Sequence, residues 1–110
     1  MQVTQTKVKD FVVISIEGEI DLNSSPQLRK TFGEILGQKA SKIIVDFGKV
    51  SYIDSSGLAT LIEMMQRLKK DSGQMYLSSM SDKIKSLFEI TKLDKLFTIY
   101  RSQEDALATS

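Results

Sequence analysis

The stretch VSYIDSSGLATLI (50–62) changes character within a few residues. A β-type run through Val50, Tyr52 and Ile53 is interrupted by Asp54, Ser55, Ser56 and Gly57, after which Leu58, Leu61 and Ile62 recur at helical spacing. A strand that passes into a helix through a few small or polar residues is half of a βα unit. The same alternation extends in both directions. Upstream, KIIVDF (42–47) reads as a buried strand, and the helical pattern continues through Met65 and Leu68 to the basic pair Lys69–Lys70, read as a solvated helix end before a break at Gly73.

Further from this handover the pattern repeats. VTQTKVK (3–9) is a polar edge-strand candidate and Asp10 marks a turn before the more buried FVVISIEG (11–18). LNSSPQLRKTFGEILG (22–37) predicts an amphipathic helix with Leu28, Phe32, Ile35 and Leu36 on one face, Ser24 or Ser25 as N-cap and Pro26 in the first turn. QMYLSS (74–79) predicts a third core strand, SDKIKSLFEITK (81–92) a helix packed through Ile84, Leu87 and Phe88, and LFTIY (96–100) a last strand. Ser102 and Asp105 stand at capping-box spacing before a short final helix. The expected order is ββαβαβαβα: a mixed, mostly parallel α/β sheet of four to five strands with about four helices, in one domain spanning 1–110.

Composition narrows the chemistry. With 110 residues, 41% of them hydrophobic, the chain suits one core. A formal net charge of +1 gives no bulk attraction to nucleic acid or to an anionic membrane. MQVTQTKVKD (1–10) lacks the apolar core of a secretory signal, so a cytoplasmic location is expected. The absence of His and Cys removes thiolate chemistry, imidazole metal ligands and the usual general base.

Three groups of polar residues invite a functional reading. Asp21, Asn23 and Ser25 resemble the opening of a calcium loop, but its required glycine falls on Pro26 and its bidentate glutamate on Phe32, so a loop and helix cap is the better account. Asp21, Asp46 and Asp54 each follow an apolar run. Gathered at one sheet edge, they would suit magnesium and an aspartyl phosphoryl acceptor; the simpler reading is that each caps a turn or helix. In DSSGL (54–58), a Ser or Asp capping the helix is the structural account, with Gly57 permitting close backbone approach. The functional account adds that a helix start favours an anion, so the fold would tolerate a phosphate on Ser55.

GEIDLNSSPQLR (18–29), KIIVDFGKVSYIDSSGLATLI (42–62) and SLFEITKLDKLFTIYRSQEDAL (86–107) together resemble a STAS domain of the bacterial anti-sigma factor antagonist type. The likeness runs essentially end to end, and IDSSGL (53–58) is its most specific element. It implies a partner-switching protein without catalysis, cofactor or metal. The unmodified antagonist would bind an anti-sigma factor that is itself a serine kinase, freeing the sigma factor. Phosphorylation of Ser55 would release it, and a metal-dependent serine phosphatase would reset it. The resemblance implies that Asp54, Ser56, Gly57 and Leu58 surround the acceptor and that Asp21, Asn23 and Ser24 form a neighbouring recognition edge, with Ser56 a minor alternative acceptor. A STAS subunit of another assembly, stress-sensing or lipid-transporting, is the second reading within the same family.

Overall fold

The computed structural model describes residues 1–38 and 41–109. Strand β1 (Gln2–Val8) turns at Lys9–Asp10 into its antiparallel partner β2 (Phe11–Ile20), and everything after that is parallel. Helix α1 (Ser25–Gly37) leads to β3 (Lys42–Ile53), α2 (Ser55–Lys70) to β4 (Gln74–Ser78), and α3 (Asp82–Ile90) to β5 (Thr98–Tyr100); α4 (Gln103–Leu107) closes the order. The five strands lie side by side in sequence order, β1-β2-β3-β4-β5. This is the ββαβαβαβα arrangement expected from the sequence.

Side-chain alternation assigns the strands' two faces. Ile14 and Ile16 of β2 and Ile43, Val45 and Phe47 of β3 join Leu28, Phe32, Leu61, Met64, Leu68 and Phe88 in the main core under α1, α2 and α3. Phe11, Val13 and Ile44, displaced by one residue, point to the opposite face, where they meet Ala106 of α4. Right-handed crossovers between strands that advance in one direction place their helices on one side. The short C-terminal helix is left to cover the other.

Several local details depart from expectation. β3 runs on past Phe47 to Ile53 because irregularities in its pairing with β2, between Ser15 and Glu17 and between Gly18 and Glu19, let the two strands continue together. Gly18 takes φ of +103° there, a backbone state that side chains resist. Ser72 adopts the left-handed conformation after α2, one residue before Gly73. The last strand is only Thr98–Tyr100, because Leu93–Lys95 form a 3-10 turn in which Leu93 O accepts from Leu96 N and Phe97 N. As the helical pattern requires, Met65 is buried, beside Met64, and Lys69 and Lys70 are exposed at the basic C-terminal turn of α2. Among the described residues, no helix is long and apolar enough to cross a membrane.

Candidate functional site

The ends of β2 and β3 lie side by side, Ile20 opposite Ile53, so the loops that follow them meet. Asp54 N donates to Ile20 O at 3.0 Å, tying the two strand ends together just before α2 begins. Asp54 is the N-cap of α2: its Oδ1 accepts from Ser56 N at 2.9 Å and Gly57 N at 3.1 Å. The same carboxylate accepts from Ser56 Oγ at 2.6 Å and, through Oδ2, from Leu22 N at 3.1 Å across the neighbouring loop.

The adjacent loop is built around Asp21. Its carboxylate accepts from Asn23 N and Ser24 N, and its carbonyl accepts from Ser25 Oγ at 2.7 Å. Of the two serines expected as cap, Ser24 takes the N-cap position of α1, though its side chain makes no capping hydrogen bond. Its hydroxyl is turned back to donate to Glu19 O at 2.8 Å and accept from Asp21 N at 2.9 Å. The amides a Ser24 side chain would cap are not free for it: Pro26 has none, and Gln27 N donates to the Ser24 carbonyl at 3.1 Å. Ser25 is 3% exposed and its Oγ lies 3.2 Å from Ser56 Oγ, closing a chain of contacts from Asp21 through Ser25 and Ser56 to Asp54.

The two serines of the motif thus have different surroundings. Ser56 is partly buried and its hydroxyl is engaged on both sides, by Asp54 and Ser25. Ser55 is exposed, and its hydroxyl makes no hydrogen bond among the described residues. Gly57 is buried against both strand ends, and Leu58 is 9% exposed. Asn23 is exposed, as is Leu22, at 73%.

Asp46 does not belong to this site. It lies seven positions before Ile53 along β3, on the order of 20 Å away at strand spacing. Alternation also puts it on the α4 face with Ile44, where it accepts from Gly48 N, Ser78 Oγ and Ser79 Oγ and borders a hollow shared with Ser15, Glu17 and Gln103. The alternative in which Asp21, Asp46 and Asp54 gather at one edge therefore fails, because the run before Asp46 ends a buried stretch and not the strand, and the preferred reading of turn and helix caps fits Asp46 at Gly48 and Asp54 at α2. Among the described residues no group of three acidic side chains, His or Cys is placed to hold a metal ion.

The amides of Ser56 and Gly57 at the start of α2 are not free to favour an anion on Ser55, since Asp54 already holds them. Of the influences on this carboxyl, the hydrogen bond from the Ser56 hydroxyl is the largest; together with the amides of Gly57, Leu22 and Ser56 it outweighs desolvation and holds the group below the usual carboxylate value. The folded chain therefore stabilises the ionised form. That contribution is complete above the ordinary aspartate range and is lost as pH falls through the lower range of the folded group. Asp54→Ala is expected to lower the urea midpoint at neutral pH, with a difference from the parent that narrows in acid; a gap that stays constant with pH would contradict this.

A groove of about 530 Å³ opens beside Ser55, between the end of β3 and α3. Tyr52, Ile53 and Leu58 line one side and Ile84, Leu87 and Ile90 the other. Ile90 is 79% exposed and Tyr52 45%, so the acceptor-like hydroxyl borders an open apolar surface.

The sequence profile of the STAS domain matches residues 2–106. The chain belongs to the STAS domain family. Among relatives of this STAS domain, the anti-sigma-B factor antagonist of Staphylococcus aureus is 28% identical over 104 residues, covering 94% of this chain and 96% of its own. An anti-sigma factor antagonist from Mycobacterium paratuberculosis superimposes with a TM-score of 0.89 at 25% identity, covering 97% of this chain and 91% of the other. The Bacillus cell fate determinant SpoIIAA, solved in a phosphorylated form, gives a TM-score of 0.76 at 25% identity with 97% of each chain covered.

Proposed function

We propose that this STAS domain is an anti-sigma factor antagonist that acts by docking and not by catalysis. Unmodified, it binds an anti-sigma factor that is a serine kinase, and the sigma factor is released. The kinase then transfers the γ-phosphoryl group of ATP to Ser55: the Oγ–P bond forms, the bond to the β-phosphate oxygen breaks, ADP leaves and the hydroxyl proton passes to the kinase's base or solvent. A metal-dependent serine phosphatase hydrolyses the phosphoserine and restores the binding form.

The observation that carries this reading is the difference between adjacent hydroxyls. Ser55 is exposed and unpartnered at the rim of an apolar surface, whereas Ser56 is bound to Asp54 and Ser25. An incoming active centre can reach the first without disturbing the loop, and reaching the second requires breaking the Asp54 contacts. Asp21, Asn23 and Ser24 form the adjoining edge, with Asp54, Ser56, Gly57 and Leu58 holding the acceptor in place. Names given to the relatives, which include antagonists of anti-sigma factors, agree with this assignment.

Intact-mass measurement and peptide mapping test it. Incubation with the co-purifying kinase and ATP is expected to add one acid-stable phosphate on the peptide containing Ser55, and Ser55→Ala is expected to abolish it. Acid-labile phosphate after incubation with magnesium and a small phosphodonor would instead indicate an aspartyl acceptor.

A further inference from the structure

We propose that Lys83 is the counter-ion of a phosphate carried on Ser55, pairing with it across the apolar groove between α2 and α3. The proposal rests on Ser55 being the acceptor and adds where its phosphate goes. Ser55 lines one side of the groove and Lys83 the other, the latter in the first turn of α3. Lys83 is exposed and, among the described residues, forms no ion pair; it is also the one basic residue lining that groove.

The charges around Ser55 leave a phosphate little choice. Of the amides at the start of α2, those of Ser56 and Gly57 are held by the Asp54 carboxylate, which also repels a second negative group. Asp21, in the loop bound to Asp54 through Ser25 and Ser56, has the same sign. Asp54 borders the groove as well, so of the charged side chains lining it Lys83 alone can attract the phosphate, and the largely apolar walls strengthen any charge pair formed at its mouth. Lys83 has a long flexible stem that can lie along those walls and present its ammonium group at the rim. The start of α3, capped by Ser81, adds a dipole of favourable sign. Paired in this way, phosphoserine and lysine bridge the rim and cover part of the surface that unmodified Ser55 leaves open.

The pairing can be tested without any kinase, on the full chain with phosphoserine incorporated at position 55 during translation. Phosphorus NMR then follows the second ionisation of the phosphate. A neighbouring cation favours the dianion, so this pKa is expected to be lower in the parent than in Lys83→Gln, by about half a unit for a largely exposed pair. Lys83→Arg is expected to keep the lowered value. Lys85→Gln, altering a lysine that lines a different hollow with Arg101, is expected to match the parent. Identical titrations for the parent and Lys83→Gln would overturn the pairing, as would an equal shift in Lys85→Gln. Because the phosphate is installed independently of the kinase, either result refutes the Lys83 assignment alone; failure of a kinase to modify Ser55 would refute the functional reading alone.

Discussion

Ser55→Ala is expected to hold the anti-sigma partner permanently, and Ser55→Asp to bind it at least tenfold more weakly. The hydroxyl is exposed and makes no hydrogen bond among the described residues, so neither change removes a contact the fold depends on. Surface substitutions of this kind shift stability by no more than about 0.5 kcal/mol, and a loss of binding would not reflect unfolding. What changes is the charge presented to a partner. A carboxylate facing another at ~4 Å costs on the order of 4 kcal/mol at an effective dielectric of ~20. Half of that exceeds the ~1.4 kcal/mol that corresponds to a tenfold change in affinity. Phosphoserine, with about −1.5 to −2 charges, should act more strongly than aspartate. Titration calorimetry with the purified kinase measures the difference, and equal affinities for the two variants would rule out electrostatic release. The already acidic surroundings, Asp54 and Asp21, favour such a switch because added negative charge finds little compensation on the α2 side of the site.

Gly57→Val is expected to destabilise the chain by about 3 kcal/mol, a large share of the ~5–15 kcal/mol typical of a domain. A Cβ atom at this position would stand 2.7 Å from both Ile20 Cγ2 and Ile53 Cγ1 and 3.0 Å from Ile20 O. Those neighbours have nowhere to go: Ile20 is 0% and Ile53 4% exposed, and the Ile20 carbonyl is held by Asp54 N. Alanine makes the same collision with less bulk, and its better helix propensity returns only about 1 kcal/mol, so Gly57→Ala should lie between valine and the parent. The urea midpoint reports the effect. A Gly57→Val chain unfolding at the parental midpoint would mean that α2 can withdraw from the strand ends at no cost. The consequence for function is that Gly57 fixes the height of the helix start above the sheet, and with it the position of Ser55.

Much of this architecture could be read in the sequence. The amphipathic spacing that predicts α2 is local, and Leu58, Leu61, Met65 and Leu68 are buried as it requires. Capping is local too: Ser102 accepts from Asp105 N before α4, and Ser81 from Ile84 N before α3. The failures occurred where distant segments decide the outcome. Ser24 is the N-cap residue of α1 as its spacing predicts, yet its hydroxyl caps nothing, because the β2 end bends through Gly18 and offers it the Glu19 carbonyl. Asp46 looks like a strand-end residue, but pairing with β2 continues β3 beyond it, and the pleat turns it to the face opposite the motif.

Residue order by itself determined the alternation of strands and helices, the handover at Asp54 and the absence of imidazole and thiol groups from any chemistry the chain performs. It left Ser55 and Ser56 as two adjacent, chemically identical hydroxyls. Only the tertiary structure separated them, because the rotation of the helix between consecutive residues turns Ser56 toward Asp54 and Ser25 while leaving Ser55 in solvent. It also brought α3, more than twenty residues later in the chain, to the other side of the groove beside Ser55. Such proximity is set by the crossover packing of α2 and α3 over one sheet face, which no local pattern encodes.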